Sequence, residues 1–215
     1  MNCKICDQRR PRRFCPGVRG DICSICCGTE REVTVNCPLD CEHLRDARVH
    51  EKHPPVDPDQ VPNRDIHVTE SFLREHEQLV VAVARILLQA SEETPGAADV
   101  DVREALEALI RTRRTLDSGL IYETRPANPV AANIQQLFQE ELEVYRRNLT
   151  ERMGMTTLRE AGVLGALAFL QRIALNHNNG RQYGRAFLSF LRDEFPPAEE
   201  GGTPQAARGG ASLIL

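Results

Sequence analysis

All eight cysteines of this 215-residue chain fall between Cys3 and Cys41, and none follows. No other feature restricts the fold as tightly, because a clustered set of thiols has to be bridged, metallated or buried. Cys3-x2-Cys6 is separated from Cys23-x2-Cys26 by sixteen residues, the spacing of two zinc half-sites. Together these pairs furnish one tetrahedral thiolate site. The remaining Cys15, Cys27, Cys37 and Cys41 are the right number for a second, since structural zinc is closed by four Cys or His ligands. Cys26 and Cys27 are adjacent and cannot easily aim at one metal, which again argues for two ions.

The chain opens Met1-Asn2-Cys3-Lys4 with no apolar run behind its early basic residues, as expected of a chain that is not exported. In a reducing cytoplasm metal ligation accounts for the thiols better than disulfides do. The longest apolar run, Leu79 to Ala84, is too short to span a membrane. An iron-sulfur cluster also takes four thiolates, but its usual runs are more tightly bunched. A thioredoxin-like redox pair would need a βαβ pattern around its Cys-x2-Cys, and none is visible.

Read in order, Cys3-Lys4-Ile5-Cys6 is expected to form a knuckle whose amides point at the thiolates. Cys15-Pro16-Gly17 marks a turn, with Gly17 free to take positive φ. Glu32 to Val35 alternates polar and β-branched residues and predicts a short strand. Pro38 and Asp40 predict a helix from Cys37 to about Lys52, with Cys37 and Cys41 on one face of its first turn. A knuckle, a strand or hairpin, and a helix donating two ligands resemble a treble-clef finger. The order of all eight ligands resembles the cross-brace fingers, such as B-box-type modules, in which alternate ligand pairs share a metal. That resemblance covers about fifty residues. It implies Cys3, Cys6, Cys23 and Cys26 on one zinc, and Cys15, Cys27, Cys37 and Cys41 on the other. The chain departs from B-box patterns in having no histidine among the eight and in the doubled Cys26-Cys27, so the partition stays open, with His43, His50 and His53 as possible substitutes.

Composition changes near Pro54-Pro55, after which come most of the leucines and alanines. The expected organisation is a zinc-binding Cys-rich module (1–53), a proline-bearing linker (54–68), a helical bundle (69–195) and a disordered tail (196–215). Apolar residues recurring at three and four predict a helix from Thr69 to Ser91. Asp101-x-x-Glu104 reads as a capping box opening a second helix. Asn128-Pro129 opens a third, closing at Gly154, and Thr157-x-x-Glu160 a fourth. The fourth is apolar nearly all round and carries Gly162 and Gly165, which places it at the centre of the bundle. Asn176 to Gly180 stops it, and a fifth helix carries Tyr183, Phe187, Phe190, Leu191 and Phe195. Leu120 to Arg125 reads as a short extended segment, and Ser212 to Leu215 as an apolar end. The fold class is therefore mainly α, a small two-zinc finger followed by a bundle of about five helices.

Among candidate sites outside the cysteines, His177 reads as a helix C-cap and His76 as half-buried packing. Tyr122, Glu123 and Arg125 read as solvated connector residues, and the pairs Arg113-Arg114 and Arg146-Arg147 as solvent-facing helix charges. No phosphate loop, nucleophile motif or carboxylate pair appears. The reading that results is a zinc-binding, non-enzymatic adaptor, cytoplasmic, with a bundle that binds a partner protein or self-associates. Its first rival is a nucleic-acid-binding regulator using Arg9, Arg10, Arg12, Arg13 and Arg19, since residues 1–20 hold six bases and one acid. Its second rival is a metalloenzyme with a site in the helical bundle, which would require an open metal position.

Overall fold

The computed structural model describes residues 2–51, 56–117, 119, 122–153 and 158–196. His53, Leu120, Ile121, Thr157, the expected helix ends at Lys52 and Gly154, and the tail beyond residue 196 lie outside the described residues.

The N-terminal unit is a knuckle, a hairpin and two short helices. The knuckle closes through the Asp7 amide, which donates to the Cys3 carbonyl at 2.8 Å, with Asp7 in the left-handed region at φ 50°. Strand β1 (Arg13–Cys15) pairs antiparallel with β2 (Gly20–Ile22), setting Phe14 opposite Asp21. Gly17 is needed here for close approach rather than for positive φ. A Cβ on it would lie 2.6 Å from the Asn36 carbonyl oxygen, and the left-handed residue of this turn is Arg19 instead. Helix α1 (Ser24–Glu30) follows Cys23 directly, and α2 (Glu42–Arg48) follows Cys41.

Two expectations for this unit are corrected. Glu32 to Val35 is a tight turn and not a strand, because the amides of Val33, Thr34 and Val35 all donate to the Glu30 carbonyl and Glu32 is left-handed at φ 57°. The helix expected from Cys37 begins only at Glu42, with Cys41 as its N-cap. The Cys37 carbonyl, which a helix would offer to the Cys41 amide, is taken by the Arg185 guanidinium, and the Cys41 amide turns to Pro38 at 3.1 Å.

The bundle comprises α3 (Glu70–Glu75), α4 (Glu77–Glu92), α5 (Asp99–Asp117), α6 (Pro129–Met153), α7 (Glu160–Asn176) and α8 (Ala186–Glu194). The single helix expected over 69–91 is broken at His76, whose ring stacks on Phe72 at 4.4 Å while its Nδ1 lies 3.1 Å from the Phe72 carbonyl. Thr69 caps α3 as its residue type predicts, its hydroxyl accepting from the Phe72 amide. Helix α5 starts two residues before the expected box. Asp101 sits inside its first turn and its carboxylate reaches back to the Ala98 amide at 2.9 Å. Asn128 caps α6 through the Val130 amide, as read from Asn128-Pro129.

Helix α7 occupies the middle, packed against both α4 and α5 and buried from Gly162 through Ala174 over most of its faces. A Cβ on Gly165 would lie 2.3 Å from the Phe72 ring. The small residue therefore admits an aromatic side chain from α3, where the sequence suggested only close backbones. Leu106, Leu109, Ile134, Phe138, Leu142, Leu167, Leu170 and Phe187 form the centre of the apolar core.

Residues 57–68 lie along the bundle. Asn63 donates to Gln171 at 2.7 Å and accepts from Arg114 at 2.7 Å, while Arg172 donates to the carbonyls of Asn63 and Ile66. Ile66 and Val68 pack against the core, so this stretch is fixed by side chains 51 to 109 residues away.

Candidate metal centre

The thiols of Cys3, Cys6, Cys23 and Cys26 lie within 4.8 Å of one another, and no disulfide is formed by any of the eight cysteines. Each half-site is positioned by its own backbone. Cys3 and Cys6 face inward from the knuckle, and Cys23 is the N-cap of α1, so Cys26 follows on the first turn of that helix. The amides left over at both places turn toward sulfur. The Cys23 amide donates to Cys3 Sγ at 3.2 Å, and the Cys26 amide to Cys23 Sγ at 3.4 Å. Such bonds stabilise thiolates and fix the ligands before any ion arrives.

The titration of these sulfurs points the same way. Burial pushes the Cys3 thiol up, but amide hydrogen bonds from Cys6, Cys23 and Ile5 outweigh it and bring it down to about 6. The Gln8 and Arg9 amides lower Cys6. Burial raises Cys26, and the neighbouring sulfurs of Cys23, Cys6 and Cys3 raise it further, to about 12. Four thiols this close cannot all ionise against one another. A divalent soft cation eases the conflict by bonding all four thiolates and cancelling half of their charge. The donor set fits a closed tetrahedral thiolate ion, with no position left for water or substrate.

Arg9 hydrogen-bonds the Cys23 sulfur and feels the charge of Cys6, which raises its pKa. Arg13 and Arg31 approach Cys27 Sγ at 3.8 and 3.9 Å. Two of the five arginines singled out in the sequence therefore turn toward sulfur. Arg10, Arg12 and Arg19 are exposed. Arg12, which immediately precedes β1, and Phe14 within it are two residues apart and both exposed, Phe14 at 62%.

Among the described residues, Cys3, Cys6, Cys23 and Cys26 are the one group of three or more donors gathered within 4.8 Å. Cys15, Cys27, Cys37 and Cys41 all belong to the apolar cluster of the same unit. Burial raises the Cys37 thiol, a hydrogen bond from the Glu32 amide opposes it, and the charges of Cys15 and Cys41 raise it again. His43 stands apart, its Nε2 3.6 Å from Glu42, and His50 is exposed.

The other sequence candidates resolve into packing. His177 is the C-cap of α7 and its ring lies 4.4 Å from that of Phe190. Tyr122 is exposed, with its carbonyl accepting from Thr115. The arginine pairs are not simply solvent-facing. Arg113 is buried and donates to Glu160 at 3.0 Å, Arg146 donates to the other oxygen of Glu160 at 2.7 Å, and Arg114 pairs with Asp65. Glu160 thus joins α5, α6 and α7. Burial works against its ionisation, but the two guanidiniums prevail and hold it below the usual carboxylate range.

Sequence reasoning missed two buried polar residues that organise the contact between the N-terminal unit and the bundle, Glu32 and Arg185, and a third, Asp99, that holds α8 behind it. Glu32 is fully buried and accepts from Arg48 at 2.8 Å, Asn179 at 3.0 Å and the Arg185 amide at 2.9 Å. Arg185 donates through Nε to the Ala97 carbonyl and through Nη1 to Asn36 and Cys37. Asp99 accepts from the amides of Phe187 and Leu188 and so caps α8. Apart from Arg48, 16 residues from Glu32, the partners lie 88 to 153 residues apart in the chain, so no local pattern could reveal them. At the rim of the same contact, a cleft of about 550 Å³ is crossed by Arg192, which pairs with Asp40 and Glu92.

No helix among the described residues is long and apolar enough to cross a membrane. Comparison of the chain with protein-family models, with curated proteins and with solved structures found no match.

Proposed function

We propose that this chain is a zinc-binding, non-enzymatic interaction protein of the cytoplasm. Its N-terminal finger presents a rigid surface, and its bundle engages a partner protein or a second copy. The observation that carries this reading is the convergence of Cys3, Cys6, Cys23 and Cys26 into a closed set. Closed thiolate sites serve structure, whereas catalytic zinc keeps an open position. The free state of all eight thiols supports a reducing compartment.

The order of knuckle, hairpin and helix around that set supports the treble-clef reading. A second zinc would be held by Cys15, Cys27, Cys37 and Cys41, and their shared place in the apolar cluster of the finger supports it. Zinc analysis of the purified full chain tests the chemistry. Two equivalents are expected, one of them lost in Cys23→Ser. Capture of a partner by immobilised protein, abolished by chelation, tests the role. Metal-free protein that keeps its N-terminal fold would defeat the proposal.

A nucleic-acid reading gains one observation. Exposed Phe14 next to Arg12 pairs a stacking surface with a phosphate-binding cation. Retention on single-stranded DNA or RNA that is lost in Phe14→Ala and falls steeply with salt would favour it. Salt-insensitive or absent retention counts against it. The metalloenzyme alternative would require a metal with fewer than four protein ligands.

A further inference from the structure

We infer that the loop between α7 and α8 is a carboxylate-binding site, which the finger fills in cis with Glu32 and which a partner protein fills in trans with a glutamate presented on a turn. The inference deepens the proposed reading of the bundle as a partner-binding unit and rests on it.

Four bundle donors converge on Glu32. Its fully buried carboxylate accepts from Asn179 Nδ2 at 3.0 Å and from the Arg185 amide at 2.9 Å, with Arg181 Nη1 at 3.5 Å. Its carbonyl accepts from the Tyr183 amide at 2.9 Å. The finger itself adds Arg48 at 2.8 Å. Hydrogen bonds to an ionised carboxylate are stronger than neutral ones, so this convergence favours an acidic side chain over its amide.

The loop holds this shape without help from the finger. Asn178 Oδ1 accepts from the Gly180 amide and Asn179 Oδ1 from the Arg181 amide, each at 3.1 Å. The Gly184 amide donates to the Arg181 carbonyl at 3.1 Å, and the Gly184 carbonyl accepts from the Asp99 amide at 2.8 Å. A Cβ on Gly184 would lie 2.5 Å from Asn179 Oδ1, so the close approach there needs glycine. Asp99 closes the far end by holding the first amides of α8. All of these bonds lie within the bundle. The donors are therefore preorganised for an acceptor, which lowers the cost of filling the site.

The occupant is separable. The apolar cores of the two regions do not merge, and among the described residues of the finger Leu39 alone packs against the bundle core. Polar contacts hold the junction instead, with Arg185 on Asn36 and the Cys37 carbonyl, Arg181 on Glu51 and Arg192 on Asp40. Polar interfaces of this kind within a chain resemble transient protein contacts. The element that fills the site is also self-contained. Residues 30–35 close their own turn through three amides on the Glu30 carbonyl and the Thr34 hydroxyl on the Glu30 carboxylate at 2.5 Å. A glutamate on a comparable turn of another protein meets the same four donors.

The test is fluorescence anisotropy of a labelled synthetic peptide with the sequence of residues 29–36, titrated with the full chain. A site closed in cis loses apparent affinity in proportion to the time it is closed, so Glu32→Gly should bind the peptide about tenfold more tightly than wild type. Glycine accepts the φ of 57° at this position without strain. Glutamine in place of the peptide's second glutamate should weaken binding about tenfold, and adding Asn179→Ala to Glu32→Gly should cancel the gain. Equal affinity for wild type and Glu32→Gly, indifference to the peptide's glutamate, or no binding to either protein overturns the site and leaves the zinc-binding reading standing. Peptide binding by a chain that captures no partner protein overturns its use in trans. Should Glu32→Gly fail to fold, hydrogen exchange of wild type with excess peptide decides. Exchange should rise in residues 30–36 while 177–185 stay protected, and unchanged exchange in 30–36 overturns the proposal.

Discussion

Five of the eight buried side chains in the core of the N-terminal unit are cysteines, joined by Ile22, Val35 and Leu44. The bundle core contains no cysteine and is built from leucine, isoleucine, valine, alanine and phenylalanine across α4 to α8. A unit of about fifty residues buries too little apolar surface to fold alone without a metal or disulfides. The bundle buries enough, because each of its long helices presents an apolar face to α7 or to a neighbour of it. The contrast is one of what is replaceable. A lost methylene in the bundle is a local cavity, whereas a lost thiolate in the finger removes the ion on which the unit depends.

The largest expected effect follows directly. Removal of all metal should abolish the protection of backbone amides in residues 2–51, and Cys23→Ser that around the knuckle and α1, while far-UV circular dichroism retains most of the helical signal, because structural zinc binding is itself the folding free energy of small fingers. Simultaneous loss of both signals would erase the distinction between the two regions. The converse break is Phe138→Ala. Phe138 is fully buried in the bundle, and its truncation should cost about 3–5 kcal/mol in denaturant unfolding with zinc content unchanged. A smaller effect is expected at Glu160→Gln, which strands the buried Arg113 beside Arg146. About 2 kcal/mol is expected in the same measurement, discounted for the partial exposure of Glu160.

The smallest effect sharpens the boundary between the regions. Burial raises the Asp99 carboxyl to about 6, against the amides of Phe187 and Leu188 and the charges of Arg103 and Arg48, which oppose the rise. A carboxyl whose folded pKa lies above its unfolded value favours the folded state below the unfolded pKa, and that advantage is lost as pH rises through about 6. Thermal stability should therefore gain about 1 kcal/mol from this group between pH 7 and pH 5. The gain is read as the difference between wild type and Asp99→Asn, which cancels the acid sensitivity of the metal site. Identical pH profiles for the two proteins would contradict it.

Local chemistry was legible in the sequence wherever it was self-contained. The four sulfurs converge as the Cys-x2-Cys spacing required, Thr69 and Asn128 cap as their residue types predict, and α7 lies buried as its unbroken apolar surface demanded. What escaped depended on distant partners. Cys37 to Cys41 carries helix-start residues, yet Arg185 removes the carbonyl that would begin the helix. Glu32 to Val35 alternates like a strand, yet the burial of Glu32 among bundle residues folds it into a turn. Arg113 looks like a surface charge until Glu160 is brought against it from 47 residues away. The hairpin Arg13–Cys15 with Gly20–Ile22 was half visible, since the turn at Pro16-Gly17 was marked but its flanking strands were too short to show a period.

X-ray absorption at the zinc edge on the purified full chain addresses the central claim most directly. The account predicts bound zinc with a first shell of four sulfurs at about 2.3 Å and no oxygen ligand. Protein without zinc, or zinc with oxygen or nitrogen in place of one or more of those sulfurs, would contradict it.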